Sequence, residues 1–199
     1  MKNAARMGLW LVAATLAYNV VEAVVAVWAG VEADSIALFG FGLDSVIECA
    51  AAAVLLWRLR VETRSEDRER VETAERRVRR FVGATFLALA VYVVAQASLT
   101  LVRGDRPEVS LLGIGLAGTS LVIMPVLAWA KLRVAVRVGS GALRAEAKET
   151  LACAYLSFAL LLGLALNAAA GWWWADPAAA LLMVPWLVRE GVEGLRGEE

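Results

Sequence analysis

Long apolar runs separated by clusters of charge constrain this chain more than any other feature. A bilayer core about 30 Å thick takes about 20 apolar residues to cross as an α-helix. Six segments read as crossings: Leu9–Ala29, Ser35–Trp57, Phe81–Val102, Ser110–Ala130, Ala142–Ala170 and Pro177–Val188, the last short unless its helix continues past Val188. The predicted class is an all-α membrane protein of six transmembrane helices, one unit over residues 1–199. Composition agrees, because 60% of the residues are hydrophobic against about 45–50% in a soluble domain. The net charge is zero, which gives no electrostatic case for a nucleic-acid partner. Cys49 and Cys153 both lie inside apolar runs, so no disulfide framework is expected. The N-terminus reads as lacking a signal peptide, and no cytoplasmic domain is expected after the sixth helix. Lysine occurs only at Lys2, Lys131 and Lys148, the other basic residues are arginine, and alanine is abundant. That bias points to a GC-rich bacterium and hence to the plasma (inner) membrane.

Orientation follows from the basic residues, which favour the cytoplasmic side. The link 58–80 holds nine arginines and the next link carries Lys131, Arg133 and Arg137, whereas the opposite side has only Arg103 and Arg106. Both termini are therefore expected in the cytoplasm. Trp28, Trp172, Trp173 and Trp174 then form an outer aromatic belt, with Trp10, Trp57, Trp129 and Trp186 near the inner face. The 58–80 link also holds six acids, often three or four residues from an arginine. That spacing predicts solvated helical extensions of its neighbours rather than a metal- or lipid-binding loop.

Ionisable residues inside the runs carry the functional information. A charge at mid-membrane costs about 2.5–3.5 kcal/mol on insertion scales. Asp44 and Glu48 lie in the second run; Glu149 and Cys153 lie in the fifth. Each pair is spaced i, i+4, which puts both groups on one helix face. Each follows the same lead: Ser35 or Ser140, then Ala two later, Leu three later, a carboxylate nine later and a potential ligand thirteen later. The two copies start from opposite sides of the membrane, so this is a weak inverted repeat, the device from which secondary transporters build midplane sites. At 1.5 Å per residue, nine residues put Asp44 and Glu149 each about 14 Å deep, near the middle of the bilayer. Three carboxylates and a thiol could thus surround one divalent cation; the alternative is protonated acids hydrogen-bonding helix to helix.

These motifs resemble those of the cation diffusion facilitator superfamily. Its members carry a Ser-x-Ala-Leu lead into a paired metal motif on the second helix and again on the fifth, with Asp-Pro opening the sixth, as Asp176-Pro177 does here. The resemblance covers almost the whole chain. It implies a non-enzymatic secondary transporter that exports a divalent metal by exchange for protons, with Asp44, Glu48, Glu149 and Cys153 as metal ligands, and a homodimer. The chain departs from the family in having no histidine, in having Cys153 where a second aspartate is usual, and in lacking the family's cytoplasmic domain. Three oxygen ligands with one sulfur fit Zn best, with Mn, Fe or Co behind. Two other readings stand beside this one: a non-transporting membrane metal sensor or partner subunit, and, last, a membrane enzyme using the carboxylates as acid and base.

Several further residues have defined expectations. Asn19 and Glu22, three apart on the first helix, are either further metal ligands on the outer path or an interhelical hydrogen-bond pair. Asp176 reads as the N-cap of its own helix with proline at N1. Lys148 is expected to snorkel to the cytoplasm and Cys49 to pack. Gln96, Thr119 and Asn167 read as interhelical glue. Gly40 and Gly42 would admit a close neighbouring helix, and Gly113 with Ala117 forms a packing seam.

Overall fold

The computed structural model describes residues 2–61, 68–139 and 141–196. Its helices are α1 (Lys2–Glu32), α2 (Ile36–Val61), α3 (Arg68–Arg103), α4 (Leu111–Val138), α5 (Gly141–Ala170) and α6 (Ala175–Arg196). Each expected apolar run lies within one helix, apart from Ser35 and Ser110, which stand just before α2 and α4. The helices mostly outrun the apolar segments. α1 and α3 begin in charged sequence, and α6 continues past Val188 to Arg196, giving 22 residues or about 33 Å of helix. At the two ends of the 58–80 link the described residues are helical: α2 runs to Val61 and α3 starts at Arg68. Residues 62–67 and Ser140, the start of the second repeat, lie outside the described residues.

Short corners make α1 and α2, α4 and α5, and α5 and α6 antiparallel neighbours. Asp34 adopts φ +52° at the α1–α2 corner. Ser110 caps α4 by accepting from the Gly113 N–H, and Gly139 closes that helix in the left-handed conformation, as C-terminal glycines do. α1, α2, α4 and α5 pack into a four-helix group, and α3 pairs with α6 against its α2–α5 side. The main core joins Ala26, Leu38, Phe41, Val93, Met124, Cys153, Leu160 and Met183. A smaller apolar layer of Val12, Val134, Ala135 and Leu143 closes one end of the four-helix group.

Several helix pairs approach closely at glycine. A Cβ on Gly42 would sit 2.7 Å from the Val27 N, and one on Gly83 would sit 2.8 Å from the Gly191 O. The expectation for Gly42 is met against α1, and a Cβ on Gly40 would sit 3.3 Å from a Val93 methyl group of α3. At the Gly113–Ala117 seam, a Cβ on Gly113 would reach within 2.6 Å of Leu38 and Ala117 is fully buried.

The outside of the bundle is apolar: Phe81, Val91, Val102, Leu111 and Val122 are all exposed, the inverse of a soluble surface. Among the described residues, Arg6–Glu32, Arg80–Arg103, Leu111–Val138 and Glu146–Ala170 are long and apolar enough to cross a membrane. Trp10, Trp28, Trp129, Trp172 and Trp174 point outward, and the Arg133 guanidinium lies 3.6 Å over the Trp129 ring.

Candidate metal site

The site begins with how α2 is anchored. The Ser35 hydroxyl accepts from the Leu38 N–H at 3.1 Å and donates to Asp176 Oδ1 at 2.5 Å. Asp176 Oδ2 accepts from the Ile36 N–H at 3.0 Å and, more weakly, from the Ala37 N–H at 3.4 Å. Asp176 therefore does not cap its own helix as expected. α6 already begins at Ala175, and the carboxylate crosses to the N-terminus of α2. There it meets unsatisfied N–H groups and the positive end of the helix dipole. The serine of the repeat is thus a cap, and it explains why α2 starts at a fixed distance from its acids.

Two turns further on, α2 turns Phe41, Asp44 and Ser45 into the interior. Asp44 is 1% exposed, and neither carboxylate oxygen has a hydrogen-bond partner. Glu48, one turn on, is half-buried and accepts from Asn19 Nδ2 at 2.9 Å. Glu22 is fully buried. It accepts from the hydroxyl of Ser45 at 3.0 Å, from that of Ser120, and from the Cys153 thiol at 3.8 Å. Tyr18 and Ser120 share a 2.7 Å hydrogen bond behind it. Asn19 and Glu22 are therefore interhelical hydrogen-bonding groups, the first tying α1 to α2 and the second tying α1 to α2, α4 and α5.

Cys153 is fully buried beside Glu22, whereas Glu149, one turn earlier on α5, is exposed. Asp44 lies within electrostatic reach of Glu22, Glu190 and Glu149; Glu48 lies within reach of Asp44, Glu22, Glu149 and Lys131. α1, α2 and α5 thus direct Glu22, Asp44, Glu48, Glu149 and Cys153 to one neighbourhood. Among the described residues, no three of the Asp, Glu or Cys side chains converge into a cluster tight enough to hold a metal ion. What the arrangement offers is a set of oxygen donors and one thiol, graded from buried Asp44 and Cys153 through half-buried Glu48 to exposed Glu149.

Other residues fall as follows. Asn167 Nδ2 donates to the Pro107 carbonyl at 3.0 Å, tying α5 to the α3–α4 loop. Thr119 is exposed and donates to the Gly115 carbonyl of its own helix at 2.7 Å. It is therefore not interhelical glue: a threonine hydroxyl facing outward satisfies itself on the preceding turn. Lys148 is exposed, and Cys49 is half-buried with its sulfur 4.0 Å from the Leu16 carbonyl.

Lys131 carries no signal of its own in the sequence. Counted with the basic link, it is fully buried and paired with Glu146. Ser45, Ser120 and Tyr18 are likewise silent, because a hydroxyl in an apolar run carries no signal until its partner is known.

A helical membrane bundle with acids gathered inside it defines an ion-handling membrane protein. Residues 12–196 match the cation efflux transmembrane domain. The chain therefore belongs to the cation efflux family and is a membrane transporter of divalent metal cations. No curated protein matches the chain.

Proposed function

We propose that this transporter exports a divalent transition metal from the cytoplasm, Zn first and Mn, Fe or Co behind, in exchange for protons. Asp44, Glu48, Glu149 and Cys153 bind the ion, with Glu22 close enough to Cys153 to join them. Asn19 acts through Glu48, holding its carboxylate. All six helices span a bacterial plasma membrane with both termini inside, and the working unit is a homodimer.

One observation carries the reading: Asp44 is buried in an apolar helix with neither oxygen hydrogen-bonded. An isolated ionised carboxylate in that setting is far too costly to persist, so a proton or a metal must neutralise it, and the two compete for the same oxygens. The gradient of exposure supports an inward entry path. The exposed Glu149 meets the ion first, Glu48 receives it, and Asp44 and Cys153 complete the shell as the Glu149 side chain folds inward. Rocking of the bundle then opens the site outward, where protons displace the metal.

The test is metal flux in sealed proteoliposomes, across a panel of Zn, Mn, Fe, Co and Cd, with an imposed pH gradient. Export should slow as the pH on the receiving side rises, because fewer protons are available to expel the ion. Flux indifferent to the gradient would sink the exchange mechanism; absence of flux for every metal would sink the binding site.

A further inference from the structure

Lys131 is the only lysine on α4, and it is 0% exposed. Its ammonium donates to Glu146 Oε1 at 2.7 Å and to the Thr150 hydroxyl at 2.8 Å. Thr150 in turn donates to the Glu146 carbonyl at 3.0 Å. Both partners lie on α5, on either side of Glu149 in the sequence, so the ammonium is fixed to the very turn that bears that acid. It also acts electrostatically on Glu48 across the bundle.

As a stabilising bridge the arrangement is poor. Glu146 uses one oxygen, and its Oε2 is buried without a partner. Buried ion pairs seldom repay their desolvation even when fully satisfied, and a partly satisfied polar network is worse. A hydrophobic pair would hold α4 to α5 at least as well. The retained positive charge therefore calls for another reason.

We propose that Lys131 is a resident counter-cation of the metal site, whose charge weakens the hold of the acids on a divalent ion enough for that ion to leave. The inference rests on the site proposed above. A transported ion must be bound well enough to enter and weakly enough to depart. Three carboxylates and a thiolate around one dication favour the first at the expense of the second. A fixed ammonium nearby opposes a divalent ion with twice the energy it exerts on a monovalent one.

The experiment measures Zn²⁺ affinity of the purified full-length protein by calorimetry, and Zn²⁺ flux of the same preparations in proteoliposomes. Lys131→Gln should bind Zn²⁺ at least about tenfold tighter and turn over more slowly, because release is impeded. Lys131→Arg should restore wild-type affinity. Glu146→Gln leaves the ammonium uncompensated and should shift affinity the opposite way, to weaker binding. A clamp that only holds α4 to α5 predicts weaker binding in both neutral variants, and that result would overturn the proposal, as would unchanged affinity in both. If Lys131→Gln cannot be purified folded, the double variant Lys131→Gln/Glu146→Gln, which buries no unpaired charge, takes its place: it should bind Zn²⁺ more tightly than Glu146→Gln, and equal or weaker binding overturns the proposal. Failure of the underlying site looks different, since the wild type would then bind no Zn²⁺, or Asp44→Asn would bind it as the wild type does.

Discussion

Asp44 and Glu149 stand at opposite ends of the exposure gradient, yet the proposed site uses both. Asp44→Asn keeps the shape and removes the charge, and it eases insertion because a neutral amide is cheaper in an apolar helix. It should leave expression at or above the wild-type level while metal flux falls to that of protein-free liposomes. Glu149→Gln should do the same. Wild-type flux by both variants at matched expression would show that these residues are not ligands. In the proposed site Cys153 is the one soft donor. Cys153→Asp keeps a possible ligand but exchanges sulfur for oxygen, so preference should move from Zn and Cd towards Mn. A competition assay between Zn and Mn reads this directly; unchanged selectivity would reduce Cys153 to a packing residue hydrogen-bonded to Glu22.

The helices that carry these groups depend on close backbone approach. Gly42 lies six residues before Glu48 and seven after the corner at Ser35, on the face of α2 that meets Val27 of α1. Gly42→Ala would push α1 and α2 apart and stretch both the Asn19–Glu48 and the Glu22–Ser45 hydrogen bonds. Overpacking of this kind costs about 1–3 kcal/mol, and here it should lower metal affinity and thermal stability together. Gly115→Ala is the control: nothing stands within 4 Å of the added methyl group, and it should be neutral or slightly stabilising, since alanine exceeds glycine in helix propensity. Equal effects of the two substitutions in a thermal melt would remove the α1–α2 contact from the site's architecture.

The same helices show what was legible beforehand. Apolar runs marked the position of each of the six helices; among the described residues four of these helices are long and apolar enough to cross a membrane, and the sixth run is shorter than a crossing. Helix ends were less legible: α1 and α3 extend into charged sequence, where no change of periodicity marks the start. The acids at Asp44, Glu48 and Glu149 announced themselves by being misplaced in apolar sequence. Lys131 did not, since it stands at the end of a run among other basic residues and looks solvated until Glu146 is found beside it. Asp176 was misassigned because a cap read from sequence is local by construction, whereas its partners here are 139 to 141 residues away.

For the molecule as a whole, the proposed orientation is the most accessible prediction. Cysteine introduced at Gly171 should react with an impermeant reagent from outside intact cells, and cysteine at Ser65 should react only after the membrane is opened. The contrast follows from the 58–80 link with its nine arginines and the α5–α6 corner with none. Labelling of Ser65→Cys from outside would reverse the assignment, and with it the direction of entry along the exposure gradient.

The bond from Asp176 to the start of α2 also has a bearing on synthesis. A chain made from its N-terminus delivers α2 early, with two acids in its apolar stretch and the first N–H groups of the helix unanswered. The carboxylate that answers those of Ile36 and Ala37 is on α6, made 139 to 140 residues later. Until then α2 is the least self-sufficient member of the bundle, and its secure place in the lipid waits for the arrival of α6. The nascent protein therefore passes through a stage in which α2 has α1, α3 and α5 beside it but not yet the carboxylate that caps it, an interval in which a membrane chaperone or a protease would find its N-terminal turn most exposed.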